Sequence, residues 1–383
     1  MKKLAIFLAV LLCMAALSLT TVLSIRHKAL PASATGLKIR GNTGIMTTES
    51  VFKSWKQTAK IGAVGDILIH DWLYEDAFTG SGYDFKPMFQ YVKDEMRNAD
   101  LLLANQETVL GGVELGLSSY PTFNSPQEVG DALIDSGVDI VSTANNHTLD
   151  RGERAILNAI AYYERAGLPY VGHFKSESDR HTLRILSANG ISFAFLAYTY
   201  GTNGIPVPEG KPYLVNLIDL EAMKREIKRA RERADVVVMS LHWGNEYQRF
   251  PSEEQKKIAR ELAESGADII FGHHPHVLQP FEWIETKGRK VFVAYSLGNF
   301  LSGQMWDYKD IGGIVKIQVT KTVDGGGTKI ELHSPEFFPT YVSNQHLHRY
   351  RIVPLKDAGR FGLPDARHKQ EEILQHMFQW IHP

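Results

Sequence analysis

Side chains that can bind a metal ion follow five separate apolar segments of the chain, at the point where each segment ends. Each segment is short and rich in aliphatic residues, which is typical of a buried strand. In α/β sheets, sites form just beyond the carboxyl ends of the strands, so we expect these side chains to share one site. One of them alone would fit a turn or a buried histidine, whereas all of them together favour a metal site. The predicted ligands are Asp66, Glu107, Asn146, His242, His274 and His276.

The donor atoms of this set are oxygen and nitrogen. Carboxylates, an amide oxygen and imidazoles suit manganese, iron, zinc or magnesium, and the sequence does not distinguish these ions. The chain has only 1 cysteine, which excludes a multi-thiolate metal site and an internal disulfide. We therefore predict a cofactor of one or two divalent metal ions, with a carboxylate or a water bridging them if there are two.

The segment His274-Pro275-His276 is predicted to be extended. Proline biases the residue before it toward extended backbone, here His274. In an extended chain alternate side chains share one direction, so both imidazoles would point the same way. His273 would then point elsewhere, and it is left out of the predicted ligands.

His147 directly follows the predicted ligand Asn146. A histidine beside a metal-bound phosphate could protonate a leaving oxygen, so His147 is the predicted general acid. Asp150 is near enough in sequence to orient its ring. The alternative is that His147 caps the helix that begins around Gly152.

The elements that position these residues alternate between strands and helices. This alternation predicts an α/β fold with largely buried strands. Apolar runs that predict strands lie at 60–66, 100–107, 138–147, 192–198, 235–244, 267–276 and 290–300, with two more at 312–319 and 328–333. Helices are predicted near 86–98, 126–136, 153–166, 219–234, 252–265 and 367–381.

The first 34 residues differ in composition from the rest. The net charge of −1 divides into +4 for residues 1–34 and −5 for the remainder. Residues 4–25 carry no charge, and this run is long enough for a membrane helix of about 20 residues, whereas a signal-peptide core has about 7–15. We predict a single uncleaved anchor in the cell membrane, with the body extracytoplasmic. The alternative is secretion after cleavage at Ala32-Ser33-Ala34.

The body divides into three further parts. Residues 35–57 are polar and lack a clear period, which predicts a linker, and residues 58–303 form the main domain. Residues 304–383 are predicted to add accessory strands and a helix. The nearly neutral net charge argues against a nucleic-acid partner.

Several segments resemble the CapA family of capsule and poly-γ-glutamate synthesis proteins, which is similar in fold to the calcineurin-like metallophosphatases. They are AVGDILIH at 63–70, NQE at 105–107, STANNHTLDRG at 142–152, SLHWGNEY at 240–247, GADIIFGHHPHVLQP at 266–280 and YSLGNFL at 295–301. The resemblance implies an α/β, metallophosphatase-like four-layer α-β-β-α sandwich with an N-terminal membrane anchor and a small C-terminal extension. It also implies that the six residues named above are metal ligands and that His147 is the acid.

For function, the resemblance implies a part in the biosynthesis, export or anchoring of an anionic polymer such as poly-γ-glutamate. The expected partners are this polymer, the membrane through residues 4–25, and other membrane subunits of a capsule synthesis complex. We expect a metal-dependent hydrolase-type site. Two alternatives stay open, a phosphoesterase acting on a cell-envelope substrate and a non-catalytic assembly subunit. The phosphatase pattern Asp-x-His is absent at Asp66-Ile67-Leu68, which leaves the number of metal ions open.

Overall fold

A computed structural model describes residues 54–381. The predicted anchor, residues 1–34, and all but the end of the predicted linker, residues 35–57, lie outside the described residues. Within residues 54–381, the structure contains no helix with the length and apolar composition needed to cross a bilayer. The membrane anchor stays a prediction, because residues 4–25 belong to the part that is not described.

The described chain alternates between strands and helices, which confirms the predicted α/β class. The strands are β1 (Trp55–Leu68), β2 (Leu101–Gln106), β3 (Ile140–Ser142), β4 (Tyr170–Val171), β5 (Arg184–Ala188), β6 (Ile191–Thr199), β7 (Val236–His242), β8 (Ile269–His273), β9 (Leu278–Thr286), β10 (Arg289–Leu297), β11 (Asn299–Ser302), β12 (Ile311–Asp324), β13 (Gly327–Gln345) and β14 (His348–Pro354). The helices are α1 (Asp71–Ala77), α2 (Lys86–Phe89), α3 (Lys93–Met96), α4 (Glu128–Asp135), α5 (Gly152–Ala166), α6 (Glu177–Arg180), α7 (Leu220–Arg231), α8 (Glu253–Ser265) and α9 (Ala366–Phe378). Short 3-10 segments lie at Val113–Leu115, Pro212–Leu214 and Leu355–Phe361.

The first sheet has eight strands with β1 inside it. The order is β14-β13-β12-β1-β2-β3-β4, and β11 pairs with β1 off this path. Strands β1 to β4 are parallel to one another. Asp66 at the end of β1 lies in register with Asn105 of β2, and Asn105 lies in register with Ser142 of β3. The carboxyl ends of these strands therefore meet at one edge of the sheet.

The second sheet has six strands in the order β5-β6-β7-β8-β10-β9. Strands β6, β7, β8 and β10 are parallel. At their carboxyl ends, His242 of β7 lies in register with Thr199 of β6 and with His273 of β8. This sheet thus presents its own set of histidines at one edge.

Alternate residues of the second sheet enter two different hydrophobic clusters. Val236 and Val238 of β7 belong to the large core that also contains residues of the first sheet. Val237 and Met239 belong to a second cluster, which they share with residues of α7 and α8. The strands of the second sheet are therefore covered on both faces, which explains why they read as continuous apolar runs. The first sheet lies on one face, and helices lie on the other.

Helix α8 shows how local sequence fixes an element of this outer layer. The Ser252 hydroxyl accepts a hydrogen bond from the Gln255 amide at 3.2 Å, and the Gln255 side chain accepts one from the Ser252 amide at 2.9 Å. This reciprocal cap starts the helix where the sequence predicts. The helix ends before Gly266, whose φ of +121° disfavours any residue with a side chain.

The strands beyond residue 304 pair with the rest of the first sheet. β12 runs antiparallel to β1 from Trp55↔Val323 to Val64↔Ile314, and β13 and β14 follow. The terminal helix α9 packs near β9, with the rings of Phe281 and Phe378 5.4 Å apart. The division of the chain at residue 303 stays a prediction.

Candidate metal centre

A glycine contact joins the two sheets beside the predicted site. A Cβ atom at Gly65 would lie 2.0 Å from the carbonyl oxygen of Gly298, so only glycine fits there. In its absence, the backbone amide of Asp66 donates to the Gly298 oxygen at 2.9 Å. Gly298 connects β10 of the second sheet to β11 of the first. The glycine before Asp66 therefore allows β1 to carry this carboxylate up to the strand ends of the second sheet.

Glu107 lies at the centre of the cluster that results. Its carboxylate belongs to two groups of potential ligands, one with Asp66 and His276 and one with His242 and His274, and within each group the ligand atoms all lie within 4.8 Å of one another. Glu107 Oε1 is 3.6 Å from His242 Nε2 and 3.8 Å from His276 Nε2. A carboxylate shared by two groups of ligands can bridge two metal ions.

Asn146 directs its amide oxygen at the same cluster. Asn146 Oδ1 lies 2.7 Å from His242 Nε2, while its amide nitrogen donates to Asn203 Oδ1 at 3.2 Å. On the other side, Asp66 accepts a hydrogen bond of 2.8 Å from Asn105. The structure thus brings all six predicted ligands together, three from each of the two groups of strand ends.

The cluster has buried negative charge and unused acceptors. Asp66 and Glu107 are both 0% exposed, and within residues 54–381 their ion-pair partners are histidines, never lysine or arginine. Both oxygens of Glu107 and Nδ1 of His274 are buried without a hydrogen-bond partner among residues 54–381. Leaving such groups unpaired is unfavourable, and coordination of a cation satisfies them. The residues present therefore fit a divalent metal ion.

The two carboxylates respond differently to burial. Burial and the nearby charge of Asp66 hold the pKa of Glu107 well above its usual range. Burial alone would also raise the pKa of Asp66, but hydrogen bonds and charges from His273 and His276 outweigh it and hold that pKa well below its usual range. Glu107 is therefore the carboxylate whose charge depends on a bound cation.

The histidines of the cluster divide in the same way. Burial lowers the pKa of His274 to about 3, and burial also lowers the pKa of His242 well below its usual range. Both rings are neutral at pH 7, which is the form that coordinates metal. His276 differs, because burial would lower its pKa but the charge of Glu107 and the hydrogen bond to Asp66 raise it to about 9.

His147 and Asp150 form a hydrogen-bonded pair at the edge of this cluster. His147 Nδ1 and Asp150 Oδ2 are 2.7 Å apart, and the same carboxylate oxygen accepts a bond of 2.7 Å from the amide of Phe123. The Phe123 ring packs edge-on against His147, with ring centroids 4.7 Å apart. Helix α5 begins at Gly152 and has no side-chain cap, so the capping alternative is wrong. Asp150 therefore fixes the orientation of the His147 ring.

The backbone of the segment 273–276 differs from the prediction. β8 ends at His273, and beyond it His274 has φ +98° and His276 has φ +58°. The expectation of an extended segment is wrong, because the chain leaves the sheet and turns at this point. The two rings still meet, with centroids 5.8 Å apart. His273, which was expected to point away, lies with Nδ1 3.5 Å from Asp66 Oδ1.

Some residues of the site were not predicted. Glu246 forms a third group of potential ligands with His274 and His276, again with all ligand atoms within 4.8 Å. The side-chain oxygen Oδ1 of Asn299, which is an acceptor, lies 3.0 Å from His276 Nδ1. Tyr200 packs over His274, with ring centroids 4.6 Å apart. Glu246 lies in the segment SLHWGNEY, but no strand ends at it. The strand-end rule, which selects polar residues that follow the carboxyl ends of predicted strands, therefore does not select it.

Comparison with known proteins gives consistent matches over this part of the chain. The family model described as "Bacterial capsule synthesis protein PGA_cap" matches residues 60–304. The "PGA biosynthesis protein CapA" of Bacillus subtilis (strain 168) is 30% identical over 302 residues, covering 76% of this chain and 75% of that protein. The "Capsule biosynthesis protein CapA" of Bacillus anthracis is 30% identical over 252 residues, covering 63% of this chain but only 59% of that protein.

Among solved structures, the NAD nucleotidase NadN of Haemophilus influenzae aligns with a TM-score of 0.44 and 13% sequence identity. The alignment covers 85% of this chain and 63% of that one. The sequence matches confirm the family resemblance drawn from the motifs.

Proposed function

The chain belongs to the PGA_cap family of bacterial capsule synthesis proteins, and from this premise we propose that it is a metal-dependent hydrolase or transferase acting on an anionic capsule polymer. The observation that carries the proposal is the buried cluster around Glu107. It combines carboxylates that no lysine or arginine neutralises in residues 54–381 with the neutral imidazoles of His242 and His274, at the meeting point of two sheets. A purely structural core gains nothing from such an arrangement.

The predicted ligands form two groups, each of which could hold one metal ion. Asp66, Glu107 and His276 would hold one ion, and Glu107, His242 and His274 with the amide oxygen of Asn146 would hold a second. A divalent ion bound there would polarise a carbonyl or phosphoryl oxygen of the substrate.

His147 and Asp150 supply the proton chemistry. The Asp150 carboxylate forms a hydrogen bond with Nδ1 of His147 and orients the ring, which leaves Nε2 to donate a proton to a leaving group. The Phe123 amide holds the carboxylate in place, and the Phe123 ring limits rotation of the imidazole. This pair acts on either an amide nitrogen or an ester oxygen as leaving group. The pair is also the observation that favours the second candidate, a phosphoesterase on a cell-envelope substrate.

The polymer substrate is inferred from the family, and the membrane location is inferred from the sequence. The two Bacillus relatives are named for PGA and capsule biosynthesis, and we infer the same polymer context for this chain. The described body follows a predicted anchor at residues 4–25, so we place the site on the extracytoplasmic side, beside other subunits of a synthesis complex. Because residues 35–383 carry a net charge of −5, a polyanion gains no attraction from the overall charge. Contact with such a polymer would need a local basic patch or the metal centre itself.

Turnover assays with matched variants test this proposal. The full chain, purified in detergent, is incubated with Mn²⁺ or Zn²⁺ and either poly-γ-glutamate or a nitrophenyl phosphodiester. We expect cleavage of the polymer, measured as new amino ends, that is lost in Glu107→Ala and falls about 10²–10⁴-fold in His147→Ala. The exposed Glu209 offers a control, and Glu209→Ala should retain full activity.

The other outcomes identify the other functions. Cleavage of the diester alone, with the same dependence on Glu107 and His147, would replace the polymer by a phosphoester as substrate. No turnover of either compound, together with capsule loss when the gene is deleted, would contradict the enzymatic proposal and favour a non-catalytic assembly subunit.

A further inference from the structure

Glu246 approaches the two histidines of the His274-Pro275-His276 segment from the solvent side. Its carboxylate and one nitrogen of each ring all lie within 4.8 Å of one another. Both rings also belong to groups that contain Glu107, which is 0% exposed, whereas Glu246 is an exposed residue. The same pair of imidazoles therefore has a buried carboxylate and an exposed carboxylate within reach.

The loop that carries Glu246 is fixed to the histidine segment. The backbone amide of Tyr247 donates to the carbonyl oxygen of Pro275 at 2.8 Å. Tyr247 has φ +66°, a conformation that a residue with a side chain adopts only when its surroundings hold it. Gly244, at the start of the loop, has φ +88°, and a Cβ atom there would lie 2.6 Å from the Gln255 side chain. The backbone on both sides of Glu246 is thus held in place by the fold.

Two half-exposed tyrosines flank this position. The ring of Tyr200 lies 4.6 Å from that of His274, and the ring of Tyr247 lies 6.1 Å from that of His276. Burial, followed by the charge of Glu246, raises the pKa of each tyrosine to about 12. The Glu246 carboxylate therefore lies close enough to both phenols to affect their pKa values, at the open side of the cluster.

The charge of Glu246 has no cationic partner in the described chain. No lysine or arginine of residues 54–381 pairs with it, and the nearby Lys309 pairs with Asp307 at 3.8 Å and lies over the Tyr247 ring at 5.2 Å. His274 is only 3% exposed, and its Nδ1 has no hydrogen-bond partner among these same residues. Among residues 54–381, the Glu246 carboxylate accepts a hydrogen bond from the Tyr247 hydroxyl but has no cationic partner, and it lies near an imidazole whose Nδ1 has no partner. A bound cation would satisfy both groups.

We propose that Glu246 is a further metal ligand, which would add an exposed carboxylate to the metal centre beside His274 and His276 and is exchanged for an anionic oxygen of the substrate. This inference rests on the proposed metal centre and adds its substrate-facing side. The buried ligands hold the ion permanently, whereas the exposed carboxylate can leave when a carboxylate or phosphate oxygen enters. It restricts the open position to anionic groups that can displace the Glu246 carboxylate.

Metal titration of matched variants tests the proposal without an activity assay. Mn²⁺ binding to the full chain, wild type or Glu246→Gln, is followed by the loss of the free-ion signal in electron paramagnetic resonance. We expect the Mn²⁺ Kd of Glu246→Gln to rise about tenfold or more. The exposed Glu254 on α8 gives the control, and Glu254→Gln should bind Mn²⁺ as the wild type does. Because Glu246 is exposed, its replacement leaves the core unchanged.

A second titration separates a metal ligand from a residue that merely contacts the substrate. At saturating Mn²⁺, inorganic phosphate and L-glutamate are each titrated into both proteins by calorimetry, so that phosphate and carboxylate ligands are compared. If an anion replaces the Glu246 carboxylate on the ion, Glu246→Gln should bind the preferred anion as tightly as the wild type or more tightly, because no carboxylate has to be displaced. Weaker anion binding in the Mn²⁺-loaded variant would overturn the exchange, and a Mn²⁺ Kd within about twofold of wild type would overturn the ligand role.

The two proposals fail in different ways. Wild-type protein that binds no Mn²⁺ or Zn²⁺ would refute the metal centre and the role of Glu246 together. Tight binding by the wild type with unchanged binding by Glu246→Gln would refute Glu246 alone and leave the proposed function standing.

Discussion

The buried ring of His173 makes a quantitative prediction about acid stability. His173 is 2% exposed, and its ring packs near Tyr163 and Tyr170, with centroids 6.1 and 5.7 Å away. Neither ring nitrogen has a hydrogen-bond partner in the part of the chain that the structure describes. Burial therefore lowers the pKa of His173 from its ordinary value to about 3.

The sign and size of the effect follow from proton binding. In the unfolded chain this histidine has a pKa of about 6.5, so below that pH the unfolded chain binds a proton that the folded chain does not. The contribution of the neutral ring to stability is full above pH 6.5 and is lost progressively as the pH falls toward the folded pKa of about 3. At pH 5, which is about 1.5 units below the unfolded pKa, the loss amounts to about 2 kcal/mol.

Replacing His173 by phenylalanine, whose ring cannot titrate, isolates the contribution of His173 protonation to stability. In His173→Phe, any change in packing is the same at every pH, so it cancels when the variant is compared with wild type at two pH values. Urea unfolding of the metal-free full chain is measured at pH 5 and pH 8. We expect the stability of the variant relative to wild type to be about 2 kcal/mol more favourable at pH 5 than at pH 8.

An equal difference in stability at the two pH values would refute this reasoning, because it would mean that the folded protein accepts a proton on His173 without penalty. The exposed His348 offers a control. His348→Phe leaves the buried ring in place and should retain the pH dependence of the wild type.

Two further predictions concern the first sheet. The Lys316 side chain is 1% exposed and pairs with Glu95. Glu95→Gln should lower the free energy of unfolding by about 3–5 kcal/mol, because it leaves a buried charge without a partner, whereas Lys316→Met should lower it far less. Urea unfolding measures both changes. Gly65→Ala should lower it by about 1–3 kcal/mol, since the added Cβ would lie 2.0 Å from the Gly298 oxygen, and it should also weaken Mn²⁺ binding by displacing Asp66. If Gly65→Ala has the stability and Mn²⁺ affinity of the wild type, the backbone can accommodate the added Cβ without disturbing the site, and the prediction is wrong.

The strand-end rule accounts for the part of the site that the sequence predicts. Asp66 and His242 end buried strands of two different sheets, and apolar runs locate such strands well. The rule needs no knowledge of which strands are neighbours, because carboxyl ends of parallel strands share an edge. It could not show that the ends of the two sheets meet, since that depends on close contacts such as the one between Gly65 and Gly298.

The errors arise where the chain leaves regular structure. The orientation of His273 was predicted from strand alternation, but β8 ends at that residue and the following histidine adopts φ +98°. Glu246 was missed because a loop, tied down by a single backbone hydrogen bond to Pro275, brings it to the site. Similarly, β14 (His348–Pro354) is polar in sequence and forms by pairing with β13, which is a long-range contact that local pattern does not reveal.

The metal content of the purified full chain tests the central claim most directly. Cells are grown with manganese, iron and zinc, and the metal bound to the protein is quantified by mass spectrometry for wild type, His242→Ala and His274→Ala. The cluster around Glu107 predicts about one or two equivalents of a divalent ion in the wild type, with a fall of about tenfold or more in each variant. Fewer than about 0.1 equivalents of every metal in the wild-type protein would contradict the metal centre, because a site of this kind binds its ion tightly enough to survive purification.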